Sequence, residues 1–189
     1  MAFLTRRVAW LIGLACASAP WLCVPMSAAQ ADPTLESEVK AAFLYNFSKY
    51  VEYPPAAFAG DDAGTFRICV LADPAFVKAV DAIIAGETID GRTVTRQIPD
   101  SAGAARACHI LFISRDEMGR AQQLLTAVER APVLTVGDAA DFLKRGGAIA
   151  FIRDGDRVRF DVNVAEAHRG GLEISSRLLR VARRVSQKP

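Results

Sequence analysis

The chain has 189 residues, 51% hydrophobic and 23% charged, which suits one globular domain and excludes a disordered or low-complexity chain. Its 23 Lys and Arg nearly balance its 21 Asp and Glu. So small a net charge gives no long-range pull toward nucleic acid or anionic lipid, and both partner classes drop in rank.

The N-terminus reads as a segment apart from that domain. Arg6-Arg7 form a positive region and residues 8–24 are mostly apolar. Ala29-Gln30-Ala31 is a small-residue cleavage site before Asp32. The apolar run is short and is broken by Pro20, so a cleaved signal peptide over residues 1–31 is expected rather than a membrane span. Cleavage would remove Arg6 and Arg7 and leave 21 basic and 21 acidic residues over 32–189, a formal charge of zero. It would also remove Cys16 and Cys23, leaving Cys69 and Cys108. An even pair in an oxidising compartment reads as one disulfide, either a structural staple or a redox-responsive pair.

In chain order, Pro33-Thr34 opens a helix that runs to Tyr53-Pro54-Pro55, since a residue before proline avoids the helical region. Leu35, Val39, Phe43, Phe47 and Tyr50 form its apolar stripe, for packing on a sheet or for a partner. Asn46, beside the stripe, needs hydrogen-bond partners if buried and would then tie down a loop. Residues 66–71 read as a buried strand and 74–84 as a helix with Phe76, Val80 and Ile83 inward. A turn at Asp90-Gly91 leads to a strand over 93–98, and residues 101–107 suit a short helix. A strand at 109–114, a helix over 116–130 capped by Asp116, a strand at 132–136 and a short helix before Gly146-Gly147 follow.

The last third closes the domain. Asp154-Gly155 marks a tight hairpin between an all-apolar strand, 148–152, and an alternating one in which Val158, Phe160 and Val162 face inward. That second strand reads as a sheet edge. Ile174, Leu178, Val181 and Val185 then recur at helical spacing, with Arg177, Arg180 and Arg184 on the opposite face. Strands alternating with helices predict an α/β fold: a single mixed, mainly parallel sheet with helices on both faces and a C-terminal β-hairpin plus helix.

Catalytic and cofactor motifs are sought without success. The phosphate-cradling patterns G-x-x-x-x-G-K-[ST] and G-x-G-x-x-G are absent, and no His or Cys spacing suits zinc. His109 adjoins Cys108, but neighbouring strand residues point to opposite faces, a poor arrangement for a nucleophile and its base. His168 stands at a polar helix end. Catalytic, cofactor-binding and metal-ligating residues are therefore expected to be none. Partner-binding residues are not legible.

Four blocks in order carry a family resemblance: KAAFLYNFSKYVEYP (residues 40–54), FRICVL, GGAIAFIRDGDRVRFDVN and GLEISSRLLRVA. Together they resemble the YfiR-like family of periplasmic proteins, over about residues 34–185. The resemblance implies one α/β domain over 32–189, no enzymatic activity and a tendency to form a homodimer. It also implies repression of an inner-membrane diguanylate cyclase through the cyclase's periplasmic domain, which lowers cyclic di-GMP and biofilm formation. An OmpA-like outer-membrane lipoprotein is implied as the agent that sequesters the repressor. Cys69 and Cys108 match a family cysteine pair that can form a disulfide linked to redox control. Two departures stand out: Tyr53 precedes Pro54 where the family usually has Trp, and residues 135–147 lack the second cysteine pair of better-known members. A periplasmic small-ligand sensor or binding protein is the alternative, since α/β sheets offer clefts at the carboxyl ends of strands.

Overall fold

The structure, a computed structural model, describes residues 33–59 and 63–187. The expected signal peptide lies outside them.

Helix α1 (Pro33–Lys49) leads through strand β1 (Val51–Glu52) and a 3-10 turn (Pro55–Phe58) into β2 (Thr65–Leu71). Helix α2 (Pro74–Ile84) follows, with Pro74 at its first position and the Asp73 carboxylate accepting from the Ala75 and Phe76 N–H groups at 2.9 and 3.0 Å. Strands β3 (Thr88–Ile89) and β4 (Arg92–Gln97) form a hairpin through Asp90-Gly91, both at positive φ. Then come α3 (Ala102–Arg106), β5 (Ile110–Ile113), α4 (Met118–Val128), β6 (Leu134–Gly137), β7 (Ile149–Asp154) and β8 (Arg157–Asn163). Helix α5 (Val164–Arg169), β9 (Glu173–Ile174), α6 (Ser176–Val181) and β10 (Arg184–Ser186) end the described chain.

Eight strands form one sheet in the order β10-β8-β7-β6-β5-β2-β4-β3, parallel except at the β7–β8 and β3–β4 hairpins. One core holds α1, α2 and α6 against one face, around Leu44, Phe47, Phe66, Phe112 and Phe160. The other holds α3 and α4, around Cys69, Leu111, Leu124 and Phe142. The predicted fold class, with helices on both faces and a mixed, mainly parallel sheet, is what the chain adopts.

Several expectations need correction. Helix α1 stops at Lys49, short of Tyr53, because the chain turns extended at Val51 to pair with Ile174 of β9. Asn46 is exposed, not buried. Asp116 caps nothing: the Arg115 N–H donates to Asp138 Oδ1 at 2.7 Å, so the cap comes from the loop after β6. The hairpin turn is Gly155-Asp156, since Asp154 still pairs with Arg157, and Gly155 at φ 60° takes the first central position.

The largest difference is at the C-terminus. Helix α6 ends at Val181, and Arg184 and Val185 belong to β10, so Arg184 does not share a helix face with Arg177 and Arg180. The Arg183 guanidinium grips the Asp161 carboxylate at 2.8 and 2.6 Å, and the Arg183 backbone N–H donates to the Phe160 carbonyl at 2.8 Å. That bidentate contact lays β10 along residues 161–163 of β8 in parallel register, so this end of β8 is interior and β10 is the edge, while residues 157–160 pair with β7 alone.

Candidate partner-binding surface

The apolar stripe on α1 divides. Phe47 is fully buried, stacked against Phe151 and edge-on to Phe160, whereas Leu35, one face farther up, is 58% exposed. The helix also buries Lys40, Ala41 and Leu44, so its packing face is rotated from the predicted line. Leu35, Val39 and Phe43 are left as one wall of a groove of about 610 Å³. Val158 and Phe160 of β8 and Val181 of α6, itself 60% exposed, line the rest. Glu36, Arg153, Asp156, Arg157 and Arg159 form the rim. An apolar floor with a charged border is the anatomy of a protein-binding patch.

The carboxyl ends of β5, β6 and β7, where an α/β sheet offers its usual ligand cleft, are closed by the protein's own charges. Lys40 Nζ lies 2.8 Å from Asp138 Oδ2 and 2.7 Å from Glu36 Oε1, and Arg153 reaches Glu36 at 3.5 Å. The hydrogen bond from Lys40, with Arg153 and Arg115 nearby, holds the Glu36 carboxyl below the usual carboxylate range. A cavity of only about 40 Å³ remains beside them, room for little more than a water.

Cys69 on β2 and Cys108 just before β5 form a disulfide with Cα atoms 5.8 Å apart, buried in the α3–α4 core. His109 points to the other face, as the strand alternation requires. Its ring stacks between Phe58 and Phe66 at centroid distances of 4.7 and 4.8 Å. Its Nδ1 accepts the Arg67 N–H at 2.9 Å, so Nε2 carries the proton and donates to the Ala57 carbonyl at 3.0 Å. Burial pushes this imidazole down to about 4; the Ala57 bond opposes the shift, and the Arg67 and Arg92 charges add to it. Both nitrogens are thus engaged in structure and neither faces a nucleophile. Among the described residues no group of three His, Cys, Asp or Glu could hold a metal ion, and no helix is long and apolar enough to cross a membrane.

Residues 37–183 match the YfiR/HmsC-like family. The chain belongs to that family. Among solved structures, a conserved domain protein from Vibrio cholerae O1 biovar El Tor is similar, with a TM-score of 0.53 at 11% identity over 79% of this chain and 60% of that one. An ABC domain in complex with L-Trp from Streptococcus pneumonia has a TM-score of 0.53 at 12% identity over 77% of this chain and 60% of that one. The chain thus spans less than two thirds of either structure, and at such identities the likeness concerns the fold alone. No curated protein sequence matches the chain.

As a YfiR/HmsC-like chain it keeps the cysteine pair that the family resemblance pointed to, bonded as expected. Tyr53 packs edge-on to Phe66 and donates its hydroxyl to the His109 carbonyl at 3.1 Å. Phe142 plugs the loop between β6 and β7, fully buried between Gly137 and Gly147. A Cβ at either glycine would come within 2.5 or 2.2 Å of that ring. Gly146 alone of the pair takes the left-handed cap, at φ 93°. The place of Gly146-Gly147 at a helix end is legible in the sequence; the close approach of Phe142 to Gly137 and Gly147 is not.

Proposed function

We propose that this chain is an exported periplasmic regulator, not an enzyme, that binds the periplasmic region of an inner-membrane diguanylate cyclase and holds the enzyme inactive. Membership of the YfiR/HmsC-like family is the observation that carries this reading. The groove beside α1 supports it, since a regulator needs an exposed apolar surface with a polar border to prefer one state of its target. Shifting a cyclase from mostly active to mostly inactive takes a preference of about 5 kcal/mol between its states. Release would follow sequestration of the regulator by an OmpA-like outer-membrane lipoprotein.

The test is intracellular cyclic di-GMP in a deletion strain complemented with the gene intact or lacking residues 2–31. The reading expects a rise on deletion that only the exported form reverses. A second deletion, of the cyclase responsible, should abolish the rise and so identify the partner. No change in cyclic di-GMP on deletion would overturn the proposal.

A further inference from the structure

Strand β8 has an open edge where it borders the groove. Asn163 donates its N–H to the Ala148 carbonyl on the β7 side at 2.7 Å, whereas the Phe160 carbonyl accepts from the Arg183 N–H on the other side at 2.8 Å. Odd-numbered residues of β8 therefore bond toward β7 and even-numbered ones away from it. On that outer side β10 pairs only with residues 161–163. The Val158 N–H and C=O and the Phe160 N–H point outward and hold no hydrogen bond among the described residues. Residues 157–160 thus leave about 13 Å of strand edge free to accept another strand.

The two faces beside this edge differ. Val158 and Phe160 turn into the apolar groove with Leu35, Val39, Phe43 and Val181. Arg157 and Arg159 turn to the opposite face of the sheet, both exposed, and hold no ion pair among the described residues. Asp154, across from Arg157 on β7, makes none with it, and Asp161, two residues on from Arg159, is taken by Arg183. A strand laid on the edge alternates in the same way. Its residues beside Val158 and Phe160 enter the groove, and those beside Arg157 and Arg159 meet two unpaired cations. A second copy fits poorly, because an antiparallel pair centred on Val158 sets each Arg157 opposite an Arg159, like charges face to face. We infer that the groove and the β8 edge together receive an extended segment of the partner in which apolar residues alternate with Asp or Glu. This rests on the regulatory reading above, with the cyclase's periplasmic region supplying the strand.

The test titrates the purified periplasmic region of the cyclase identified by the second deletion against this protein purified from the periplasm. V158P removes an outward N–H and no bond to β7, and R157E/R159E reverses the charges on the far face; circular dichroism with thermal melting checks their folding. Each should weaken Kd by at least about tenfold, and R157E/R159E should flatten the fall in affinity between about 50 and about 500 mM NaCl. In the wild type, deuterium exchange at the Val158 amide should slow by at least about tenfold in the saturated complex. Should V158P fail to fold, the charge variant and the exchange rate decide. Binding with unchanged exchange at Val158 would overturn the strand, and weaker binding by L35D/V181D would then assign the groove to an occupant that docks by side chains alone. Unchanged Kd in the folded variants would overturn the edge assignment while leaving the regulatory reading intact; no binding by the wild type would overturn both. A dimer in sedimentation velocity that V158P dissolves would assign the edge to a second copy. Loss of co-sedimentation with phosphatidylglycerol vesicles in R157E/R159E would assign the arginines to a lipid surface. Either result overturns the proposal.

Discussion

Lys40 on α1 and Asp138 after β6, 98 residues apart in sequence, meet at 2.8 Å with both side chains nearly buried. Asp138 gives its other oxygen to the Arg115 N–H, so one carboxylate joins α1, the β6 loop and the start of the α4 segment. Replacing Asp138 by Ala leaves Lys40 with Glu36 alone and the Arg115 N–H without its acceptor. The expected loss is about 2–3 kcal/mol, read as a lower urea midpoint at unchanged slope, with Asp138→Asn losing less. Glu36 adds acid sensitivity of a definite sign. Its carboxyl is held below the ordinary value of 4.5, so its contribution is complete above that pH and is lost as pH falls further.

His109 makes the fold sensitive to milder acid. Its imidazole titrates near 6.5 when unfolded and at about 4 when folded, so the unfolded state binds the extra proton first. Stability is therefore complete above about pH 6.5 and falls by about 2 kcal/mol by pH 5 from this group alone. Protonated Nδ1 can no longer accept from Arg67, and the Phe58–Phe66 sandwich would have to hold a charge. Urea melts at pH 7.5 and pH 5 check this. His109→Gln should be less stable at the higher pH and lose less between the two. An equal pH dependence in both proteins would contradict the assignment.

Cys69 and Cys108 close a loop with a sequence separation of 39, for which loop entropy assigns roughly 4 kcal/mol. Changing both to Ser should lower the urea midpoint accordingly. If the bond is a staple, the folded double variant still lowers cyclic di-GMP when expressed in the deletion strain. Lost repression by a double variant that is less stable but still folded would instead identify a redox switch.

Phe142 anchors the β6–β7 loop, fully buried against Gly137 and Gly147. Phe142→Ala should cost about 3–5 kcal/mol through the cavity it leaves. Gly147→Ala drives a methyl group into the ring and also to 2.9 Å from the Phe142 carbonyl, an overpacking cost of about 1–3 kcal/mol. Thermal melts of the two variants check both figures.

The elements legible in the sequence were those set by local signals. Asp73-Pro74 fixed the start of α2, and the all-apolar runs at Ile110–Ile113 and at residues 148–152 marked interior strands. What escaped depends on distant partners. Strand β10 exists because Arg183 finds Asp161 on another strand, and no helical periodicity could report that contact. Helix α1 ends early because β9, more than a hundred residues later, offers a strand to pair with. The groove escaped for a related reason. The α1 stripe was visible, but only the packed sheet shows that Leu35 stands past the covered region while Phe47 lies beneath it.

The central claim is that the protein acts on a cyclase from the outer side of the inner membrane. The most direct measurement is intracellular cyclic di-GMP in spheroplasts of the deletion strain after the protein, purified from the periplasm, is added to the medium. Repression from that side predicts a fall within minutes in the wild-type protein's presence, and none when the cyclase gene is also deleted. An unchanged level, with folded protein bound or unbound at the cell surface, would contradict the account.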